Sequence, residues 1–117
     1  MKLRALGLAT TLAASAFITV ATGTAAHAVG CGSTPAAVSP KTATVDGPYN
    51  SYNLYDGPSS GCGTHGSPVP DNSGATALCW ANITGTTWYY LDTVKGKGWI
   101  SSANVKLYSG LPGKCNG

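Results

Sequence analysis

After its first few residues this chain has no arginine, and nowhere does it have glutamate: Arg4 is the one arginine among 117 residues. Downstream of residue 28, five lysines (Lys41, Lys95, Lys97, Lys106, Lys114) stand against four aspartates (Asp46, Asp56, Asp71, Asp92). So weakly charged a surface, without an arginine cluster, does not suit binding to nucleic acid or to an anionic membrane. Lys95 and Lys97 read as solubilising charges at a loop tip. Good helix formers are scarce while glycine (16) and proline (7) recur, which leaves no room for a helix of ordinary length. Phenylalanine stops at Phe17, so every later aromatic is a Tyr or Trp with a polar handle. No Cys-x-x-Cys spacing occurs, which argues against a zinc site, and His65 is the only histidine after His27. No metal or cofactor is expected.

The chain opens with Lys2 and Arg4, then an apolar run from Leu6 to Val20 that is too short and too rich in small residues to span a membrane. Ala26-His27-Ala28 fits the small-x-small rule of cleavage sites, so residues 1–28 are predicted to be a signal peptide, with Val29 as the mature start. The predicted product is secreted, free of the membrane and monomeric. Ala28-Val29-Gly30-Cys31 is a rival lipoprotein site, but it lacks the usual leucine, and acylating Cys31 would leave an odd number of thiols. All four cysteines together make two disulfides in an oxidising compartment. Of the three possible pairings, the reading favours Cys62 with Cys79 as a local loop, and Cys31 with Cys115 tying the ends together. Cross-links matter here, because a domain this small cannot bury a large core.

Residues 29–41 are rich in Gly, Ser, Pro and Ala without a period and read as an irregular arm. Thr42 to Val45 is a candidate first strand, and Tyr49 to Pro58 is bounded by turn signals. Gly61 to Gly74, with Pro68 and Pro70, reads as an extended loop. Ala75 to Ile83 is the clearest strand, followed by a turn over Thr84 to Thr87. Trp88-Tyr89-Tyr90-Leu91 and Gly98-Trp99-Ile100 flank Asp92 to Gly98, as a hairpin does when its loop needs glycines at positive φ. Alternation along Trp88 to Leu91 predicts that at least one of Tyr89 and Tyr90 is exposed.

These segments support a family resemblance. Asn53-Leu54-Tyr55-Asp56-Gly57-Pro58-Ser59 is similar to the Asn-Val-Arg-x-Gly-Pro-Ser opening of bacterial SH3-like domains, with Tyr55 at the arginine position. Ala77-Leu78-Cys79-Trp80 resembles their middle strand, Thr87-Trp88-Tyr89 their Trp-Tyr strand, and Gly98-Trp99-Ile100-Ser101 their ending before a short helical turn. The order is collinear from about Thr42 to Leu107, and secreted actinobacterial proteins with paired cysteines are the nearest group. The resemblance implies an all-β fold: a small SH3-like barrel over 42–117 with a C-terminal tail, an irregular N-terminal arm and two disulfides. It also implies cell-wall peptidoglycan or its peptides as ligand. Asn104 replaces the tyrosine that lines the polyproline groove of eukaryotic SH3 domains, so proline-peptide recognition does not carry over.

Catalytic chemistry is poorly represented. His65 with Asp71 and one of Ser59, Ser60 or Ser67 is a conceivable set, yet no nucleophile elbow surrounds them, and a solvated loop histidine is the plainer reading. Four scattered aspartates show no paired-carboxylate spacing. Asn82-Ile83-Thr84 matches a glycosylation acceptor, but the bacterial resemblance argues against its use. Binding chemistry fares better: Tyr49, Tyr52 and Tyr55 recur every third residue, and with Trp88, Tyr89 and Asn104 they form the predicted ligand surface. Trp99 is assigned to the core. The expected function is non-catalytic binding of cell-wall glycan or peptide. The rival is inhibition of an extracellular protease or glycosidase through the Gly61–Gly74 loop.

Overall fold

The computed structural model describes residues 30–116. The predicted signal peptide, its cleavage site and Val29 lie outside the described residues. Seven strands run β1 (Lys41–Val45), β2 (Ser51–Tyr55), β3 (Thr64–Pro70), β4 (Ser73–Ile83), β5 (Thr86–Thr93), β6 (Gly96–Ser101) and β7 (Val105–Leu107). A single 3-10 turn, Ser102–Asn104, separates the last two, its first turn capped by Ser101 Oγ accepting from Ala103 N. The strands form one antiparallel sheet in the order β3-β2-β6-β5-β4-β1-β7, which does not close, so β3 and β7 are its edges.

Two tight turns build the central meander. Thr84 and Gly85 both take positive φ between β4 and β5, the handedness that matches strand twist. Between β5 and β6 the ladder runs on to Asp92↔Lys97 and Thr93↔Gly96, leaving only Val94 and Lys95 unpaired. The expected seven-residue loop is therefore a two-residue one, in which Thr93 Oγ1 accepts from Lys95 N at 3.0 Å and donates to Gly96 O at 2.8 Å. Gly96, at φ +111°, meets the need for a glycine.

The predicted Gly61–Gly74 loop is corrected: half of it is β3, paired with β2 from Ser51↔Pro70 to Tyr55↔Thr64 around an irregularity. Pro68 and Pro70 read as loop signals, but a proline is tolerated on an edge strand, where the missing N–H faces no partner.

Both faces of the sheet are buried. Inside, Val45, Leu54, Val69, Leu91 and Ile100, none more than 2% exposed, pack with Tyr52, Ala77 and Tyr89; β1 to β6 all contribute, so the sheet curls around this cluster. On the outer face Cys79, Ala81, Trp88, Tyr90, Trp99 and Cys115 form a second cluster, joined by Val38 and Leu78. A bulge at Leu78 lets β4 serve both: Ala77 and Trp80 go inward, Cys79 and Ala81 outward.

β4 outruns β1, and its overhanging edge is capped by the two ends of the described chain. Leu78 O accepts from Val38 N, Trp80 N donates to Gly113 O, and Trp80 O accepts from Cys115 N. The arm also receives Trp99 Nε1, which donates to Ser33 O at 3.1 Å. This cover explains the second correction: Tyr89 and Tyr90 are both buried, one in each cluster.

The disulfides are Cys31–Cys62 and Cys79–Cys115, with no free thiol among the described residues. The expected pairing, Cys62 with Cys79 and Cys31 with Cys115, is thus overturned. Cys79 lies on the outer face of β4, where the tail arrives, while Cys62 follows the turn after β2, to which the arm is bound by Gly32 N donating to Asp56 O. Two disulfides place the protein in an oxidising environment. No helix among the described residues is long and apolar enough to cross a membrane.

Candidate binding site

β2 meets β6 at a single ladder position, Tyr55↔Trp99, and then parts from it. The parting opens a cleft of ≈ 380 Å³ with Tyr49, Tyr52, Asn53 and Tyr55 on one bank and Trp88, Ile100 and Asn104 on the other. The three-residue spacing of the tyrosines puts Tyr52 on the inner face and Tyr55 on the outer, yet both line the cleft because it enters from the strand edge.

Tyr52 is the hub. Its Oη accepts from Tyr49 N at 2.9 Å, while its one proton is shared between the Tyr49 carbonyl at 3.1 Å and Asp71 Oδ1 at 3.2 Å. The same carboxylate oxygen accepts from Gly47 N. Burial pushes the Tyr52 hydroxyl pKa up, the hydrogen bond donated by Tyr49 N works against this, and the Asp71 carboxylate adds to the rise. Gly47 is the one residue type that fits its place, since a Cβ there would overlap Asn104 Oδ1 and lie 2.7 Å from Tyr52 Oη. Tyr49 stands edge-on to Tyr52 at 5.9 Å and is exposed. Tyr55 and Trp88 form a second edge-to-face pair at 5.4 Å. No Lys, Asp or His lines the cleft, so it offers aromatic surface with neutral amide and hydroxyl groups.

Of the six predicted ligand residues, Tyr49, Tyr52, Tyr55, Trp88 and Asn104 come together here, and Tyr89 does not. Its neighbours on the strand take the other face, and Tyr89 belongs to the inner cluster and to a different cleft. Sequence reasoning missed Ser51, Asn53, Ile100 and Ser101; Asn53 carried a signal, standing between two tyrosines.

His65 is exposed to solvent, as expected, but sits on a strand rather than in a loop. It lies on β3 with Nδ1 2.5 Å from Asp56 Oδ1 and Nε2 2.7 Å from Lys97 O. Asp71, the partner imagined from the sequence, is occupied by Tyr52 and Gly47 instead. Carboxylate and carbonyl are both acceptors, so only the imidazolium satisfies both. The pKa is raised, first by the Lys97 carbonyl and then by Asp56, against a smaller opposing effect of burial. With both nitrogens engaged, neither has a lone pair to take a proton from a serine. Among the described residues no group of three or more potential ligands could hold a metal ion.

Compared with known protein families, with characterised proteins and with solved structures, the chain finds no match.

Proposed function

We propose that this protein is a secreted, SH3-like binding module that recognises cell-wall peptidoglycan or its peptides without catalysis. The observation that carries the reading is the neutral aromatic cleft, in which Tyr49, Tyr55, Trp88 and Asn104 converge from three separate segments. Tyr49, exposed, and Tyr55, half-buried, beside amide groups and backed by the buried Trp88 suit stacking on sugars and packing on uncharged peptide backbone. The SH3-like reading draws on the collinear motifs, the helical turn directly after Gly98-Trp99-Ile100-Ser101, and the pairing of the last strand with the first. The peptidoglycan ligand follows from that resemblance.

Cosedimentation of the mature protein with isolated cell walls tests it. Wild type pellets with the walls, and Tyr55→Ala weakens binding by about 1–2 kcal/mol, as for an aromatic anchor. A protein that ignores walls yet inhibits a secreted hydrolase stoichiometrically would overturn the proposal in favour of an inhibitor.

A further inference from the structure

Tyr89 is 6% exposed, and burial alone raises its pKa. Among the described residues its hydroxyl has no hydrogen-bond partner, although leaving a buried hydroxyl unpaired costs free energy. The residue lines a second cleft of ≈ 410 Å³, on the far side of the 3-10 turn from the first: Ser102 faces this one, Asn104 the other. Its remaining walls are Trp80, Asn82, Thr87 and Leu111.

We infer that this second cleft is a saccharide site, distinct from the Tyr55/Trp88 cleft and taking a neutral N-acylated sugar. Trp80, half-buried with the Lys114 ammonium over its ring, and Leu111, 59% exposed, present apolar surface to the cleft. Asn82 Nδ2 donates to Thr87 Oγ1 at 3.0 Å, which fixes the amide and leaves Asn82 Oδ1 as acceptor and the Thr87 hydroxyl as donor. Together with the Ser102 and Tyr89 hydroxyls, this lining matches donors and acceptors without any charged group. A cationic peptide would lose hydration here and find no counter-charge in the lining, whereas a sugar ring with hydroxyls and an acetamido group can pair with the hydroxyls and the amide. Lys114, its Nζ 5.8 Å from the Trp80 ring centroid, stands at the rim.

The experiment is an NMR titration of the full mature protein with tetra-N-acetylchitotetraose. The Trp80 indole and Leu111 methyl signals are expected to shift together, with those of Tyr55 and Asn104 unmoved. Tyr89→Phe removes only the unpaired hydroxyl, so it should melt no lower than wild type while binding the tetrasaccharide about tenfold more weakly. Leu111→Asp, at an exposed position, should also fold and lose binding. Absence of shifts at Trp80 and Leu111 up to the solubility of the sugar overturns the inference. Shifts confined to the Tyr55/Trp88 cleft overturn it too while supporting the wall-binding proposal. A Tyr89→Phe protein that melts lower than wild type would show the hydroxyl already satisfied. Concentration-dependent dimers abolished by Leu111→Asp would assign the cleft to a second copy of the chain instead.

Discussion

His65 joins two parts of the sheet that the ladder leaves apart. It belongs to the edge strand β3, and its two ring nitrogens reach Asp56 after β2 and the Lys97 carbonyl on β6. Because its folded pKa is raised above the ordinary value of about 6.5, protonation favours the folded state. That contribution is complete below the unfolded pKa and is lost as pH rises through the higher folded value. Stability should therefore decline on going from mildly acidic to alkaline pH, and His65→Gln should flatten the dependence. The decline is modest, since the His65 and Asp56 side chains are 45% and 39% exposed and solvent screens them. Denaturant midpoints measured across that range, with the His65 Cε1 proton followed by NMR, check the sign; a His65 pKa at or below the ordinary value would contradict the two-acceptor geometry. A second single-residue case is Gly98, which the sequence places in a turn for the sake of positive φ. Its role is different: a Cβ there would lie 2.6 Å from Leu54 Cβ and 3.2 Å from His65 Cε1. Gly98→Ala must push β2 away from β6 and should cost about 1–3 kcal/mol, measured by chemical denaturation.

At the scale of strands, the β5–β6 hairpin concentrates the bulk of the core. Trp99 is fully buried against Tyr90 at 5.2 Å and donates to the arm, so Trp99→Ala should lower stability by about 3–5 kcal/mol. Calorimetric melting reads this directly, and a variant that melts like wild type would place Trp99 outside the core. The hairpin was legible because Trp88 to Leu91 and Gly98 to Ile100 are dense in strand-forming residues, and its neighbour β4 was legible for the same reason. β3 was not: Thr64-His65-Gly66-Ser67-Pro68-Val69-Pro70 has only Val69 buried, so an edge strand with one apolar residue carries no period to detect. The burial of both Tyr89 and Tyr90 was hidden for a related reason. Alternation correctly sends them to opposite faces, but nothing periodic in residues 30–40 or 109–116 shows that those segments cover the outer one. Most of the candidate cleft was visible as a tyrosine run, because its positions cluster in sequence; Ile100 and Ser101 were not, because they join only where β2 parts from β6.

On the scale of the whole molecule, the two disulfides fasten the ends of the described chain over the outer cluster. Cys31–Cys62 closes a separation of 31 residues at the arm, and Cys79–Cys115 one of 36 at the tail. Loop-entropy estimates give about 3–4 kcal/mol for closures of this length, with the mechanism model-dependent. Nonreducing peptide mapping should recover these two bridges and no free thiol; a Cys62–Cys79 peptide would refute the topology. The tail bridge has a further consequence, because the tail carries Leu111 and lies against β4 through Gly113 and Cys115. Cys79→Ser combined with Cys115→Ser should lower stability by about 2–4 kcal/mol and let the tail leave β4. The Leu111 cleft then loses a wall, whereas the Tyr55/Trp88 cleft, built from β2, β5, β6 and the 3-10 turn, keeps all of its residues in place. Tetrasaccharide binding should therefore fall sharply while cell-wall binding through the first cleft persists, and acrylamide should quench tryptophan fluorescence more readily as Trp80 and Trp99 lose cover. Unchanged melting and unchanged quenching in the double variant would mean that the outer cluster holds without its staple.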